Sequence, residues 1–314
     1  MVYIGIDVGG TGIQMGVVDE QGHILERGEI VTNTSITPEE EIRLMAECAI
    51  ETLKRSGYGI DDLKAVGAGI PGIVDPRTKE IPFCNNLGWR NVPFEKIFRQ
   101  TLDKPVFVDN DATVAGLAES VAGKTAGTSS SVFVTLGTGV GGGIVINGKV
   151  WSGAHGIGSE IGHMIMELDG EPCNCGNNGC LERYCSATAI IRMARSQVAV
   201  HPESLIMTMC GNDPSRINAK IVFDAAREAD PTALKVFRRY VRNLAQALVT
   251  IMQFLDPEVI VLGGGVSKAG SFLLNAVREE IPNYLLYKTM PYPQVELATL
   301  GADAGIIGAA MLGR

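Results

Sequence analysis

Residues 4–18, IGIDVGGTGIQMGVV, and residues 131–145, SVFVTLGTGVGGGIV, follow one plan. Gly10-Thr11-Gly12 aligns with Gly137-Thr138-Gly139, and Gly16 with Gly143. In each copy an apolar run enters a glycine turn and a second apolar run leaves it. A further turn follows, at Gln21-Gly22 and at Asn147-Gly148, the latter a strong hairpin dipeptide. The pattern predicts a β-meander whose first turn is built from backbone amides. Strands with glycine-rich exits recur in VGAGIPGI (66–73) and VIVLGGGV (259–266). A plan used twice predicts two similar lobes facing each other across a cleft.

Helical periodicity fills the intervals. Residues 38–56 open with Thr37 as cap, Pro38 at the first position and glutamates in the first turn, and Ile42, Met45, Ala49, Ile50 and Leu53 share one face. Further helices are expected near 93–103, 112–122, 186–199, 217–228, 231–255, 267–281 and 303–312, the last after a short strand at 294–298. The class is α/β with mixed sheets. A length of 314 residues exceeds what one hydrophobic core comfortably organises, which again favours two lobes.

Composition excludes several functions. A net charge of −8 without a basic run makes nucleic acid and anionic membranes poor partners. No stretch approaches the roughly 18 uninterrupted apolar residues of a membrane span. The first residues lack the basic region of a signal peptide and their apolar run stops at Asp7, so a cytoplasmic location is expected. Seven cysteines, an odd number, argue against a disulfide framework.

Three of those cysteines follow a histidine: His163, Cys173, Cys175 and Cys180, spaced H-x9-C-x-C-x4-C. Zinc takes four tetrahedral nitrogen and sulfur ligands, and Gly176 and Gly179 permit the tight turns of a knuckle. Such a closed shell makes the metal structural. The plain alternative is three reduced thiols and an unrelated histidine. Cys48, Cys84, Cys185 and Cys210 carry no assigned role.

The glycine turns are less specific. Gly137-x-Gly139-x-x-Gly142 matches a dinucleotide fingerprint literally, yet the chain continues as IVINGKVW, another strand rather than a helix. AESVAGKT (118–125) lacks the first glycine of a phosphate-binding P-loop. What survives is a pair of hairpins whose exposed amides can nest phosphates, or serve as plain tight turns. Asp7 ends a strand before Gly9-Gly10, where an acid holds Mg²⁺ or simply caps a turn. In VFVDNDAT (106–113) a strand ends in Asp109-Asn110-Asp111 before a helix; Asp111 suits a general base, or the helix N-cap. Glu160 and Glu182 flank the cysteine cluster and read equally as site acids or solvated charges.

Taken together these segments resemble the ROK family (repressor, open reading frame, kinase). DVGGTGIQMG (7–16) and LGTGVGGG (136–143) are similar to its two phosphate segments, GSEIGHM (158–164) with CNCGNNGCLE (173–182) to its hexose and zinc signature, and LGGGVS (262–267) to its adenosine-side turn. The resemblance implies an actin-like, two-lobed sugar kinase fold of the Hsp70 type with mixed sheets and a zinc knuckle. Residues 1–112, completed by 299–314, would form the smaller lobe and 113–298 the larger, with zinc and dimerisation elements. It implies Asp111 as the catalytic base and Gly72, Asn86, Asn110, Glu160, His163 and Glu182 as sugar contacts, His163 doubling as zinc ligand. Asp7, Gly9, Gly10, Thr11, Gly12, Gly137, Thr138, Gly139, Gly264 and Gly265 would hold Mg²⁺ and ATP. Asn85 stands where the family carries proline, and Gly12 where a larger residue is common. The implied activity is ATP-dependent phosphorylation of the glucose 6-hydroxyl by a homodimer. The rivals are an N-acetylhexosamine, mannose, allose or fructose kinase, a sugar-binding protein without catalysis, and a sugar-sensing repressor. The repressor would need a helix-turn-helix ahead of the strand starting at residue 2.

Overall fold

The computed structural model describes residues 1–314. Its contacts gather into two units: residues 1–133, 142–159 and 298–314 form one, and residues 134–141 and 160–297 the other.

The chain opens with the expected meander: β1 (Val2–Val8), β2 (Gly12–Val18) and β3 (Ile24–Val31). Helix α1 (Pro38–Arg55) follows; Thr37 accepts from the Glu40 N–H while the Glu40 carboxylate accepts from the Thr37 N–H, a reciprocal cap. Next come β4 (Leu63–Ile70), the hairpin pair β5 (Ile81–Cys84) and β6 (Trp89–Val92), α2 (Phe94–Arg99), β7 (Val106–Asn110) and α3 (Asp111–Ala122). The sheet order is β3-β2-β1-β4-β7, antiparallel across β1–β3 and parallel across β1, β4 and β7. Alternate β1 side chains face different cores: Ile4, Ile6 and Val8 join α1, while Tyr3 joins α3 and the C-terminal helix.

The second meander is β8 (Ser130–Leu136), β9 (Val140–Ile146) and β10 (Lys149–Val150). Asn147 and Gly148 both have positive φ, 52° and 71°, as the left-handed turn after β9 requires. The chain continues through α4 (Glu182–Cys185), α5 (Ala187–Val198), α6 (Leu205–Met209), α7 (Ala219–Arg227) and α8 (Pro231–Leu255). Strand β11 (Val259–Gly263), α9 (Gly264–Ser267), α10 (Ser271–Glu280) and β12 (Gln294–Leu297) complete this part, giving sheet order β10-β9-β8-β11-β12. The last helix, α11 (Ala304–Met311), returns to the first unit. No helix is long and apolar enough to cross a membrane.

Three features differ from the sequence reading. The helix expected at 267–281 breaks at Gly270, φ 67°, into α9 and α10. The one expected at 93–103 stops at Arg99 and continues as turns. Residues 113–133 and 142–159 gather with the first unit, making it wider than 1–112 plus 299–314. The physical reason is close packing of α3. Gly308 of α11 meets the Val114 carbonyl, Gly116 meets Phe133, and Gly143 meets the Ala112 carbonyl.

A Cβ at Gly308 would overlap that Val114 oxygen, and neither helix backbone can give way cheaply. Gly308→Ala is expected to cost about 3 kcal/mol or more, read as a large fall in melting temperature by circular dichroism. A melting point equal to the parent protein's would contradict this packing.

Candidate functional site

In the first unit, the parallel ladder sets Asp7 against Gly69 and Gly69 against Asp109, so β1, β4 and β7 end side by side. Asp7 is half-buried, and a Cβ on Gly305, in the first turn of α11, would overlap its carboxylate. Desolvation, and then the charge of Asp111, push the Asp7 pKa up to about 6. The two carboxyls therefore sense each other, an arrangement that a bound cation relieves. Beside them the Gly9 N–H donates to the Gly12 carbonyl at 3.0 Å, closing the turn that carries Gly10 and Thr11.

Which residue caps α3 is now decided. Asn110 Oδ1 accepts from the N–H of Ala112 (2.9 Å) and of Thr113 (3.3 Å), and Asn110 Nδ2 donates to the Gly72 carbonyl at 3.2 Å. Asp111 is the first helical residue rather than the cap, though one of its oxygens accepts from the Ala112 N–H at 2.7 Å. Gly72 packs against Phe83 and Cys84, which ties the β5 strand to the same place. Asn86 lies exposed in the short helical turn 85–87, its Cβ 3.9 Å from where a Gly10 Cβ would stand. Asp109 had no role in the sequence reading. It accepts from the Asn110 N–H (2.8 Å) and the Ser152 hydroxyl (2.9 Å), and desolvation raises its pKa.

In the second unit, Glu160 precedes the helical turn Ile161–His163. The two ring nitrogens of His163 point different ways: Nδ1 is 3.8 Å from Cys173 Sγ, and Nε2 is 3.9 Å from a Glu160 oxygen. Cys175 Sγ and Cys180 Sγ are 3.6 Å apart, and the four donor atoms all lie within 4.8 Å of one another. Bonds of about 2.0–2.3 Å from a tetrahedral zinc require ligand separations of about 3.4–3.8 Å, which the His163–Cys173 and Cys175–Cys180 pairs match. Burial, reinforced by the neighbouring thiols, pushes the Cys180 thiol up to about 12, so its thiolate form needs a cation beside it. Gly179, φ 74°, turns the chain where a Cβ would overlap the Glu167 carbonyl.

Glu182 opens α4, two residues beyond Cys180. Its Oε2 accepts from the Val140 N–H at 3.1 Å, and its carboxylate fills the space beside Gly139. The Gly137 N–H donates to the Gly139 carbonyl at 2.9 Å, so the second glycine turn closes like the first but one residue tighter. Gly264, φ 83°, packs directly on Leu136, the residue before that turn, and leads into Gly265 of α9. The sequence-selected residues thus fall into two clusters: Asp7, the turn 9–12, Gly72, Asn86, Asn110 and Asp111 in one unit, and Glu160, the cysteine cluster, Glu182 and the turns at 137–139 and 264–265 in the other. Ser152 and Thr188, which tie down site segments, carried no local signal, because their partners are distant in sequence.

The sequence profile of the ROK family matches residues 3–314. The chain is 39% identical to a glucokinase of Halalkalibacterium halodurans, over 99% of this chain and 94% of that one. It is 37% identical to a glucokinase of Thermotoga maritima, over 98% and 96%. Its fold is similar to the crystal structure of a ROK family glucokinase from Streptomyces griseus in complex with glucose and AMPPNP. That match has a TM-score of 0.83 and 34% identity, and covers 99% of each chain.

The raised Asp7 pKa carries a stability consequence. The unfolded chain ionises near 3.8 and the folded chain near 6, so the penalty is absent below pH 3.8, grows between the two values and is complete above about 6. At about 1.4 kcal/mol per unit the ceiling is about 3 kcal/mol. Asp7→Asn is expected to raise the melting temperature of the metal-free protein at pH 8 and to change it little near pH 4. The same shift at both pH values would contradict a desolvated carboxylate.

Proposed function

The chain belongs to the ROK family, and on that premise we propose that it is an ATP-dependent hexose kinase that phosphorylates the 6-hydroxyl of glucose. The observation that carries the reading is the pair of acids Asp7 and Asp111 beside Gly69: the ladder sets Asp7 against Gly69, and a Cβ on Gly69 would stand 3.6 Å from the Asp111 Cα. The glucokinase relatives over nearly the full chain support it.

In this reading Asp111 accepts the proton of the sugar 6-hydroxyl as that oxygen attacks the γ-phosphorus of ATP. The new sugar oxygen–phosphorus bond forms while the bond to the bridging oxygen breaks, and ADP leaves with that electron pair. Asn110 and Gly72 are already joined by a hydrogen bond, and with Asn86 they orient the sugar from the first unit's residues. Glu160, His163 and Glu182 accept or donate to further hydroxyls. The turns 9–12 and 137–139 offer to the phosphates the amides that Gly9 and Gly137 do not spend in closing them, and Gly265, open where Gly264 packs on Leu136, leaves room for the adenosine. Asp7 is the carboxylate that would hold Mg²⁺, which when bound neutralises charge on the phosphates. His163, Cys173, Cys175 and Cys180 would hold zinc, which cross-links the loop that carries Glu160 to the one that carries Glu182.

A coupled ADP-release assay with Mg·ATP tests the activity across glucose, mannose, fructose, allose, N-acetylglucosamine and N-acetylmannosamine. Glucose is expected to give the highest kcat/KM; preference for an N-acetylated sugar would replace glucose as the acceptor, and no turnover on any sugar would reject the reading. Asp111→Asn is expected to lower kcat about 10²–10⁴-fold with glucose binding retained, read by calorimetry. Elemental analysis is expected to find about one zinc per chain, and Cys180→Ser to lose it.

A further inference from the structure

The second glycine turn is held from outside by its carbonyls. The Ala187 N–H, at the first position of α5, donates to the Gly137 carbonyl at 2.8 Å. The Thr188 hydroxyl donates to the Thr138 carbonyl, also at 2.8 Å. Glu182 takes the Val140 N–H at 3.1 Å, and Gly162 lies so close to the Val140 carbonyl that a Cβ there would overlap it. All four contacts come from residues 162–188, the segment that also contains the cysteine cluster.

The consequence is directional. A peptide unit's carbonyl and N–H point in opposite senses, so fixing the Gly137 and Thr138 carbonyls toward α5 aims the following N–H groups, those of Thr138 and Gly139, away from it. Those two amides donate to no protein acceptor, while the Gly137 N–H is spent on Gly139. An anion nest needs this condition: adjacent amides, convergent and unspent. Glycine at 137 and 139 would otherwise let the peptides rotate, and without Thr188 the Thr138 carbonyl could turn into the space an anion needs.

We propose that Thr188 is a positioning residue for the nucleotide, acting through the Thr138 carbonyl to hold the turn 137–139 with its amides toward the phosphates. Glu182 supports the same turn at Val140, and its place two residues after Cys180 links the turn to the cysteine cluster. The inference rests on the kinase reading for the identity of the anion. Thr188 is exposed on the first turn of α5, and Ser186 caps that helix by accepting from Ala189, so removing the Thr188 hydroxyl leaves the helix its cap.

The test is Thr188→Val, which keeps the shape and removes the hydroxyl, beside Thr188→Ser, which keeps the hydroxyl. Mg·AMP-PNP binding is measured by calorimetry without any acceptor, and KM for ATP and for glucose in the coupled assay. Loss of one neutral hydrogen bond predicts a Kd and an ATP KM raised about three- to tenfold in Thr188→Val. The KM for glucose and the melting temperature are expected to stay close to the parent values, and Thr188→Ser to bind as the parent does. Unchanged nucleotide affinity in Thr188→Val overturns the proposal. So does a uniform loss of both affinities with a lowered melting temperature, which would mark a merely structural contact. If the parent chain binds Mg·AMP-PNP but turns over no sugar, the kinase reading fails while the role of Thr188 is still decided by the calorimetry.

Discussion

Helix α11 approaches its neighbours more closely than side chains allow. Gly5 of β1 meets the Ile306 carbonyl, Gly67 of β4 meets the Ala309 carbonyl, and Gly308 of α11 itself meets the Val114 carbonyl of α3. At each point one partner has no side chain and backbone touches backbone, as in the densest parts of protein interiors. This packing fixes where the ends of β1 and β4 stand relative to the first turn of α11. It leaves room at Gly305 for the Asp7 carboxylate, and none for a Cβ. Buried Glu119 of α3 secures the approach to α11 by accepting from the N–H groups of Thr299 (2.8 Å) and Leu300 (3.0 Å). The Asp7 carboxylate is therefore placed by a helix almost 300 residues away in sequence, about the full length of the chain.

That placement has a thermodynamic cost which makes sense only with a ligand. Asp7 is desolvated and lies near a second acid, and both push its pKa up, which makes a charge there costly. The cysteine cluster shows the same logic in the other unit, where a buried thiol resists ionisation until a metal shares its charge. At Asp7 the chain gives up stability near neutral pH that a simpler residue would keep, and such places mark function more reliably than a well-formed core does.

Much of this was legible in the sequence because the signals are local. Apolar runs on either side of Gly9–Gly12 and Gly137–Gly139 gave strand, turn and strand; Asn147-Gly148 gave the next turn; Thr37-Pro38 with Glu40 gave the start of α1. The cysteine spacing brought four donors together because its glycines turn the chain over a few residues. Contacts between distant segments were not legible. Nothing around Thr188 announces the Thr138 carbonyl, 50 residues away, and Asp109 reads as one of three equivalent polar residues until Ser152 is seen against it. The break at Gly270 was missed because an apolar periodicity continues across it. The division of VDND into cap and first helical residue needed the hydrogen bonds of Asn110, since either Asn or Asp can fill that position.

The central claim is that Asp111 is the group that takes the proton of the acceptor hydroxyl. A crystal structure with glucose and AMP-PNP tests it most directly. The account predicts the glucose 6-oxygen within about 2.6–3.2 Å of an Asp111 carboxylate oxygen, with the γ-phosphorus on its far side. A sugar bound with its 6-hydroxyl directed away from Asp111, toward another acid or toward solvent, would contradict it.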